Sequence, residues 1–307
     1  MLILDGIRRA LALIVSSVMM LFAGGGNTES YTVLDEENCR LCITVFSDTH
    51  IESNNSNRYK IYKRMLDNAA ANSYGSDLMI FLGDNTMNGQ DIESLIFYGT
   101  AAQTKVSDNV ITVCGNHDVG NGEGDYDKLF SRFTDYNRAL LGVEIDKPYY
   151  YKVINGYYFI VLGPEDLCVY ECPVSEEQYE FLEDTMALAS ESGKPIFVCC
   201  HWPYDDIDED WGERAYSIMS QYDDVFFISG HTHMPFIEGW SMGTWYGINE
   251  INMPRCTELA GKNDDEIYED SGDAAIIEVY DNEVVARGRN FYTGEWLEEM
   301  EYHYAIG

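Results

Sequence analysis

Five short apolar runs, each stopped by a polar motif, constrain this chain more than any other feature. The runs cover residues 41–46, 78–82, 110–114, 196–200 and 225–228. Each has four to six residues, mainly Val, Ile, Leu, Phe and Cys, which suits a short strand buried on both faces. The motifs that stop them are Asp48-Thr49-His50, Gly83-Asp84, Gly115-Asn116-His117-Asp118, His201-Trp202-Pro203 and Gly230-His231-Thr232-His233. Ligands of open α/β sheets gather at the carboxyl ends of strands. Five polar motifs at one rim of one sheet are therefore expected to converge, despite their separation in sequence.

Helical patterns lie between the first runs. Ile61, Met65, Leu66 and Ala69 have helical spacing within 58–72, and further helices are expected over 91–105 and 126–141. The pattern then changes. Residues 149–153 and 157–162 flank Asn155-Gly156, a hairpin signal because both turn positions need a positive φ. A helix over 175–190 opens on a capping box, Ser175 to Gln178, with Gly193 just past its end. The tail reads as a hairpin, 274–280 and 284–287, turning at Asp281-Asn282. Early alternation with later hairpins predicts an α/β fold: a layered α/β/β/α sandwich of two packed mixed sheets flanked by helices. No composition break marks a second unit, so 38–307 reads as a single catalytic domain.

The histidines test the convergence. Of six in the chain, five lie in these motifs, and only His303 stands apart. A lone His is more often a satisfied surface or core residue. That explanation does not account for five that fall just after apolar runs.

The ordered motifs resemble those of the calcineurin-like metallophosphoesterases, over about residues 41 to 235. The resemblance implies a layered fold and a two-metal site. By motif position, Asp48, His50 and His233 would bind one cation. Asn116, His201 and His231 would bind the other, and Asp84 would bridge them. His117 would assist the leaving group without binding metal, with Asp118 orienting it. Oxygen and imidazole donors without thiolate suit Mn, Fe, Zn or Co and do not single one out. Two divalent ions can activate a shared, bridging hydroxide and clamp the attacking and leaving oxygens. The implied reaction is hydrolysis of a phosphomonoester or small phosphodiester, nucleotides included.

Departures from sister groups narrow the choice. Purple acid phosphatases carry Gly where His50 stands, and a Tyr ligand three residues after the bridging Asp, where this chain has Met87. Protein Ser/Thr phosphatases continue as Gly-Asp-x-x-Asp-Arg-Gly, whereas here the run is Gly83-Asp84-Asn85-Thr86-Met87-Asn88-Gly89. What remains is similar to bacterial cyclic-nucleotide phosphodiesterases and general phosphoesterases. The competing readings are a noncatalytic metal-binding scaffold of the same fold and an envelope enzyme acting on lipid-linked phosphoesters.

Charge bears on partners. Lys plus Arg number 19 against 53 Asp plus Glu, a formal charge of -34. No basic footprint exists for a long polyanion, so nucleic acid is not an expected partner. A small phosphorylated substrate is not excluded, because salt screens the broad field beyond about 8 Å. The start of the chain, Arg8 and Arg9 before the apolar stretch 10–23 and then three Gly, fits a secretory signal or an N-terminal anchor over 1–26. Export or membrane association through that segment is the expectation, with a cytoplasmic location left open. Cys39/Cys42 and Cys168/Cys172 could form local disulfides after export, while Cys114, Cys199 and Cys200 read as buried thiols. Candidates for substrate selection are Asn54, Asn55 and Asn57, and Trp202, Tyr204, the acidic stretch 205–210, Trp211 and Arg214. An aromatic there could stack on a nucleobase, against the plainer reading of a solvated acidic loop with core aromatics.

Overall fold

The structure, a computed structural model, describes residues 2–23, 28–203, 209–257, 259–260 and 266–307. The first half runs α1 (Leu2–Ala23), β1 (Leu41–Phe46), α2 (Ser56–Ala69), β2 (Leu78–Phe81), α3 (Asp91–Thr104) and β3 (Val110–Thr112). A 3-10 turn at His117–Val119 precedes α4 (Tyr126–Tyr136), which ends in a π turn at Asn137–Leu141. Then come β4 (Tyr150–Ile154), β5 (Tyr157–Val161), α5 (Glu176–Ser190), β6 (Ile196–Cys199), α6 (Glu209–Met219) and β7 (Val225–Ser229). The last part is β8 (Met242–Trp245), β9 (Ile248–Asn252), β10 (Leu259–Ala260), β11 (Glu266–Ile267), β12 (Asp273–Val279), β13 (Glu283–Asn290) and β14 (Glu295–Ala305).

Two six-stranded sheets result, ordered β14-β13-β12-β1-β2-β3 and β4-β5-β6-β7-β9-β8. Both are mixed. β1, β2 and β3 are parallel and β12 joins β1 antiparallel, while β5, β6, β7 and β9 are parallel between antiparallel β4 and β8. Residue alternation shows how the layers stack. Phe159, Val161, Phe197, Cys199, Phe226 and Ile228 share a core with the first sheet. The intervening Ile160, Val198 and Phe227 pack instead with Leu182 and Met186 of α5 and Ala215 and Met219 of α6. On the far side, Tyr62 of α2 and Phe97 of α3 close on Phe81 of β2. The order is therefore helices, sheet, sheet, helices, as the sequence predicted.

Details refine the reading. Asn155 and Gly156 stand at φ 52° and 83° between paired Ile154 and Tyr157, so the turn has two residues. At α5, Ser175 Oγ accepts from Gln178 N at 3.3 Å, but the reciprocal half of the expected box is absent. Gln178 turns its amide to Gly163, and Glu165 takes Ser175 N at 2.6 Å. All eight cysteines are free and buried. α1 lies against α2 and α3. Arg8 pairs with Asp135 at 2.6 Å and Arg138 with Asp5 at 3.2 Å. Among the described residues no helix is long and apolar enough to cross a membrane. Gly24, Gly25 and Gly26, part of the targeting reading, lie outside the described residues.

Candidate metal centre

The expectation of one rim of one sheet is corrected. Asp48, Asp84 and Asn116 follow β1, β2 and β3 of the first sheet, whereas His201, His231 and His233 follow β6 and β7 of the second. The sheets pack with these strand ends together, so the site bridges them. His201 Nε2 is 3.2 Å from Asp84 Oδ2 and 3.8 Å from Asp48 Oδ1. His233 Nε2 is 3.2 Å from Asp48 Oδ1. His50 Nε2 lies 3.1 Å from His233 Nε2, and 3.7 Å from both Asp48 Oδ1 and Asp84 Oδ2.

Two groups of donors emerge, each within 4.8 Å: Asp48, His50, Asp84 and His233, and Asp84, His201 and His231. Asp84 belongs to both. Spacings of 3.1 to 3.8 Å are what ligands about 2.0–2.2 Å from a common cation would show. The second test is satisfaction. Asp48 Oδ1, Asp84 Oδ2, Asn116 Oδ1, His201 Nε2 and His231 Nδ1 are buried without a hydrogen-bond partner, as is His50 Nδ1. Buried polar atoms normally have partners, and such exceptions need a cause. Four of them, on Asp48, Asp84, His201 and His231, belong to residues of the two donor groups and fit a site for divalent cations.

The other donor of most of these groups is tied down. Asp48 Oδ2 accepts from Ser47 Oγ at 2.5 Å and from His231 N at 3.2 Å. Asp84 Oδ1 accepts from His117 N at 2.8 Å, and His201 Nδ1 meets Leu82 O at 2.9 Å. Such outer partners fix ligand orientation. The backbone is distorted to the same end. Asp48, His50, Asp84, His231 and His233 have φ of 52°, 43°, 48°, 68° and 56°, in the left-handed region. That conformation costs side chains of order 1–3 kcal/mol and clusters at functional sites. Two glycines permit the close approach. A Cβ at Gly115 would land on Asp84 Oδ1, and one at Gly230 on Ser47 Oγ.

Electrostatics favour cations. Burial opposes charge on Asp48 and Asp84, yet His201 beside both holds them below the usual carboxylate range. Burial also opposes charge on His201, but Asp84 and then Asp48 outweigh it and push its pKa to about 10. Two buried carboxylates thus demand positive charge at their centre. Burial pushes His50 and His231 down to about 4, so both present neutral rings at pH 7.

The role expected of Asp118 is corrected. Its carboxylate accepts from Gly115 N, Asn85 N and Nδ2, and Thr86 N and Oγ1, all between 3.0 and 3.3 Å, and does not reach the His117 ring. It is a buried knot joining the second and third motifs, with a pKa raised to about 6 by burial and then by Asp84. His117 Nδ1 instead meets the Met87 carbonyl at 2.7 Å. A carbonyl only accepts, so Nδ1 carries the proton and Nε2 is left for chemistry. Main-chain acceptors of this kind have no residue-type signature, and Met87 could not have been found from sequence.

Sequence reasoning also missed Arg255, whose Nη1 lies 3.1 Å from His233 Nδ1. His233, a third exposed, marks the open side. Arg255 sits two residues beyond Met253, after β9, with no nearby motif to flag it. The specificity candidates mostly fall elsewhere. Asn55 caps α2 by accepting from Asn57 N and Arg58 N, and Asn54 is exposed. Trp202 is fully buried against His201 and His231, so it cannot stack on a substrate base. Arg214 pairs with Glu176 and covers Tyr179, both on α5. Tyr204 and residues 205–208 lie outside the described residues.

A four-layer fold with paired donor groups sharing one carboxylate defines a candidate dimetal protein. The sequence model described as calcineurin-like phosphoesterase matches residues 42–235, more than half of the chain, and the chain belongs to that family. No curated protein matches the sequence. Among solved structures it is similar to a dimetal phosphatase from Danio rerio, at 13% identity and TM-score 0.63, over 88% of this chain and 100% of that one. It is also similar to the purple acid phosphatase PPD1 from yellow lupin seeds, at 14% identity and TM-score 0.56, over 86% of this chain and 53% of that one. A third is GAP50, the anchor in the inner membrane complex of Plasmodium, at 14% identity and TM-score 0.51, over 88% and 89% of the two chains. At such identities the likeness concerns the fold.

Proposed function

We propose that the protein hydrolyses phosphate esters, phosphomonoesters or small phosphodiesters, at a pair of divalent cations. Asp48, His50, Asp84 and His233 would hold one, and Asp84, Asn116, His201 and His231 the other. The sharing of Asp84 by the two donor groups carries this reading. When bound, the cations supply an activated water and neutralise the phosphoryl oxygens. With two aspartates against two divalent ions the site is net positive, about +2, which draws a phosphate ester despite the acidic surface.

The chain's own groups supply the rest. The His117 ring, held at Nδ1–H by Met87, would give the departing oxygen a proton from Nε2 as the imidazolium, in which both nitrogens carry one. Arg255, whose Nη1 is 3.1 Å from His233 Nδ1, would add a guanidinium that can pair with an anionic oxygen. The test uses purified protein with added Mn, assayed on aryl phosphates and bis-aryl phosphates. His117→Ala should keep the metal content and lower kcat by about 10²–10⁴-fold. Wild-type turnover in that variant removes the role of His117. Metal-loaded wild type inert on every ester would favour the scaffold reading. The targeting role of residues 1–26 stays our proposal, supported by Arg8 and Arg9 before the apolar stretch, and cell fractionation tests it.

A further inference from the structure

We infer that Asn121, five residues beyond Asn116, is a positioning residue that decides which end of the Asn116 amide faces the second cation. This rests on the dimetal reading above. An asparagine amide has two ends of nearly equal shape, an acceptor oxygen and a donor nitrogen. Only the oxygen can ligate a cation, so something must hold the oxygen inward.

In this chain the nitrogen is held outward. Asn116 Nδ2 donates to Asn121 Oδ1 at 2.9 Å, and Asn121 N donates to Asn116 O at 2.7 Å. Asn116 is 3% exposed, and its Oδ1 is left buried with no hydrogen-bond partner. Turned over, the amide would face Asn121 Oδ1 with its own oxygen and aim a donor at the cation. The contact with the cation would be repulsive, and so would the one with Asn121 unless its amide turned as well.

The loop is built to hold Asn121 there. Gly120, Asn121 and Gly122 follow one another at φ 92°, 52° and 82°, which folds the chain back on the third motif. Val119 N and Gly120 N close the turn on Asn116 O and His117 O, at 3.3 and 3.2 Å. A Cβ at Gly122 would stand 2.7 Å from Val169 Cγ2, so the loop rests on the neighbouring segment. At position 121 the residue needs tolerance of the left-handed region together with a side-chain acceptor. Asn and Asp have both, and Gly has only the first.

That distinction supplies the test. Full-length wild type, Asn121→Gly and Asn121→Asp are titrated with Mn by calorimetry, with metal stoichiometry counted separately. Glycine keeps the backbone and removes the acceptor. It should weaken one ion of two by about 10–100-fold, the usual effect of losing an outer partner, while the ion of Asp48, His50 and His233 stays. Aspartate, which can only accept, should keep both ions within about threefold. A general loosening of the loop would instead weaken both variants alike. The inference is overturned if Asn121→Gly binds both ions as wild type does, or if Asn121→Asp loses the second ion as fully as Asn121→Gly. Wild type that holds fewer than two ions overturns the dimetal reading itself.

Discussion

At the residue scale, the site depends on side chains that no residue type alone would put in place. Asp48, His50, Asp84, His231 and His233 sit on left-handed backbone, so each donor turns inward just after its strand ends. The neighbouring glycines are part of the same construction. Gly115→Ala would press a methyl onto Asp84 Oδ1. We expect it to lower stability by about 1–3 kcal/mol, as overpacking does, and to reduce bound Mn below the wild-type stoichiometry. Urea unfolding and metal counting read the two effects. Away from the site, Asp273 is 5% exposed and accepts from Asn290 Nδ2 at 2.8 Å. Burial raises its pKa to about 7. The fold therefore favours the neutral acid. Its stabilising effect is full below the unfolded value near 4 and is lost as pH rises through about 7. The melting temperature of wild type relative to Asp273→Asn should fall between pH 5 and 8. A difference that ignores pH would contradict this.

At the element scale, the strands of the second sheet serve two cores. Phe197 of β6 faces the first sheet, with Phe159 stacked on it at 4.9 Å and Phe226 tilted against it at 5.2 Å. Its neighbour Val198 faces α5 and α6. Phe197→Ala should cost about 3–5 kcal/mol, the range for emptying a buried aromatic position, as measured by denaturant midpoint. It should also weaken metal binding, because β6 carries His201 at its end. A loss under 1 kcal/mol would mean that the sheets do not depend on this layer. β14 shows why some elements were missed. Of its eleven residues only Met300 and Tyr304 are buried, so its hydrophobic pattern is faint even though it pairs along β13.

At the scale of the molecule, the centre joins two sheets that elsewhere meet through apolar packing and a few polar contacts, such as Tyr150 Oη with Thr112 O at 2.9 Å and Tyr304 Oη with Glu250 O at 2.7 Å. Ligands from both sides would make bound cations a staple between layers. Saturating Mn at about 100 times its dissociation constant should stabilise the fold by about 2.7 kcal/mol per site. Removing it with a chelator should lower the melting temperature and leave the secondary structure in place. A melting temperature that ignores the chelator in metal-loaded protein would count against cations between the sheets.

The sequence alone determined the layered α/β class, most strands within a residue or two, and the motif residues Asp48, His50, Asp84, His201, His231 and His233 that the fold gathers into two donor groups. Buried strands and Gly-flanked polar motifs leave local signatures, because side-chain periodicity and chain turns are short-range. Tertiary structure decided what depends on meetings between distant segments. It drew the five motifs from two sheets instead of one, gave the His117 ring to the Met87 carbonyl and not to Asp118, and buried Trp202 behind His201. It also brought Arg255 beside His233. A backbone carbonyl has no residue identity, and packing between sheets has no period in the chain, so neither could be read before the fold was known.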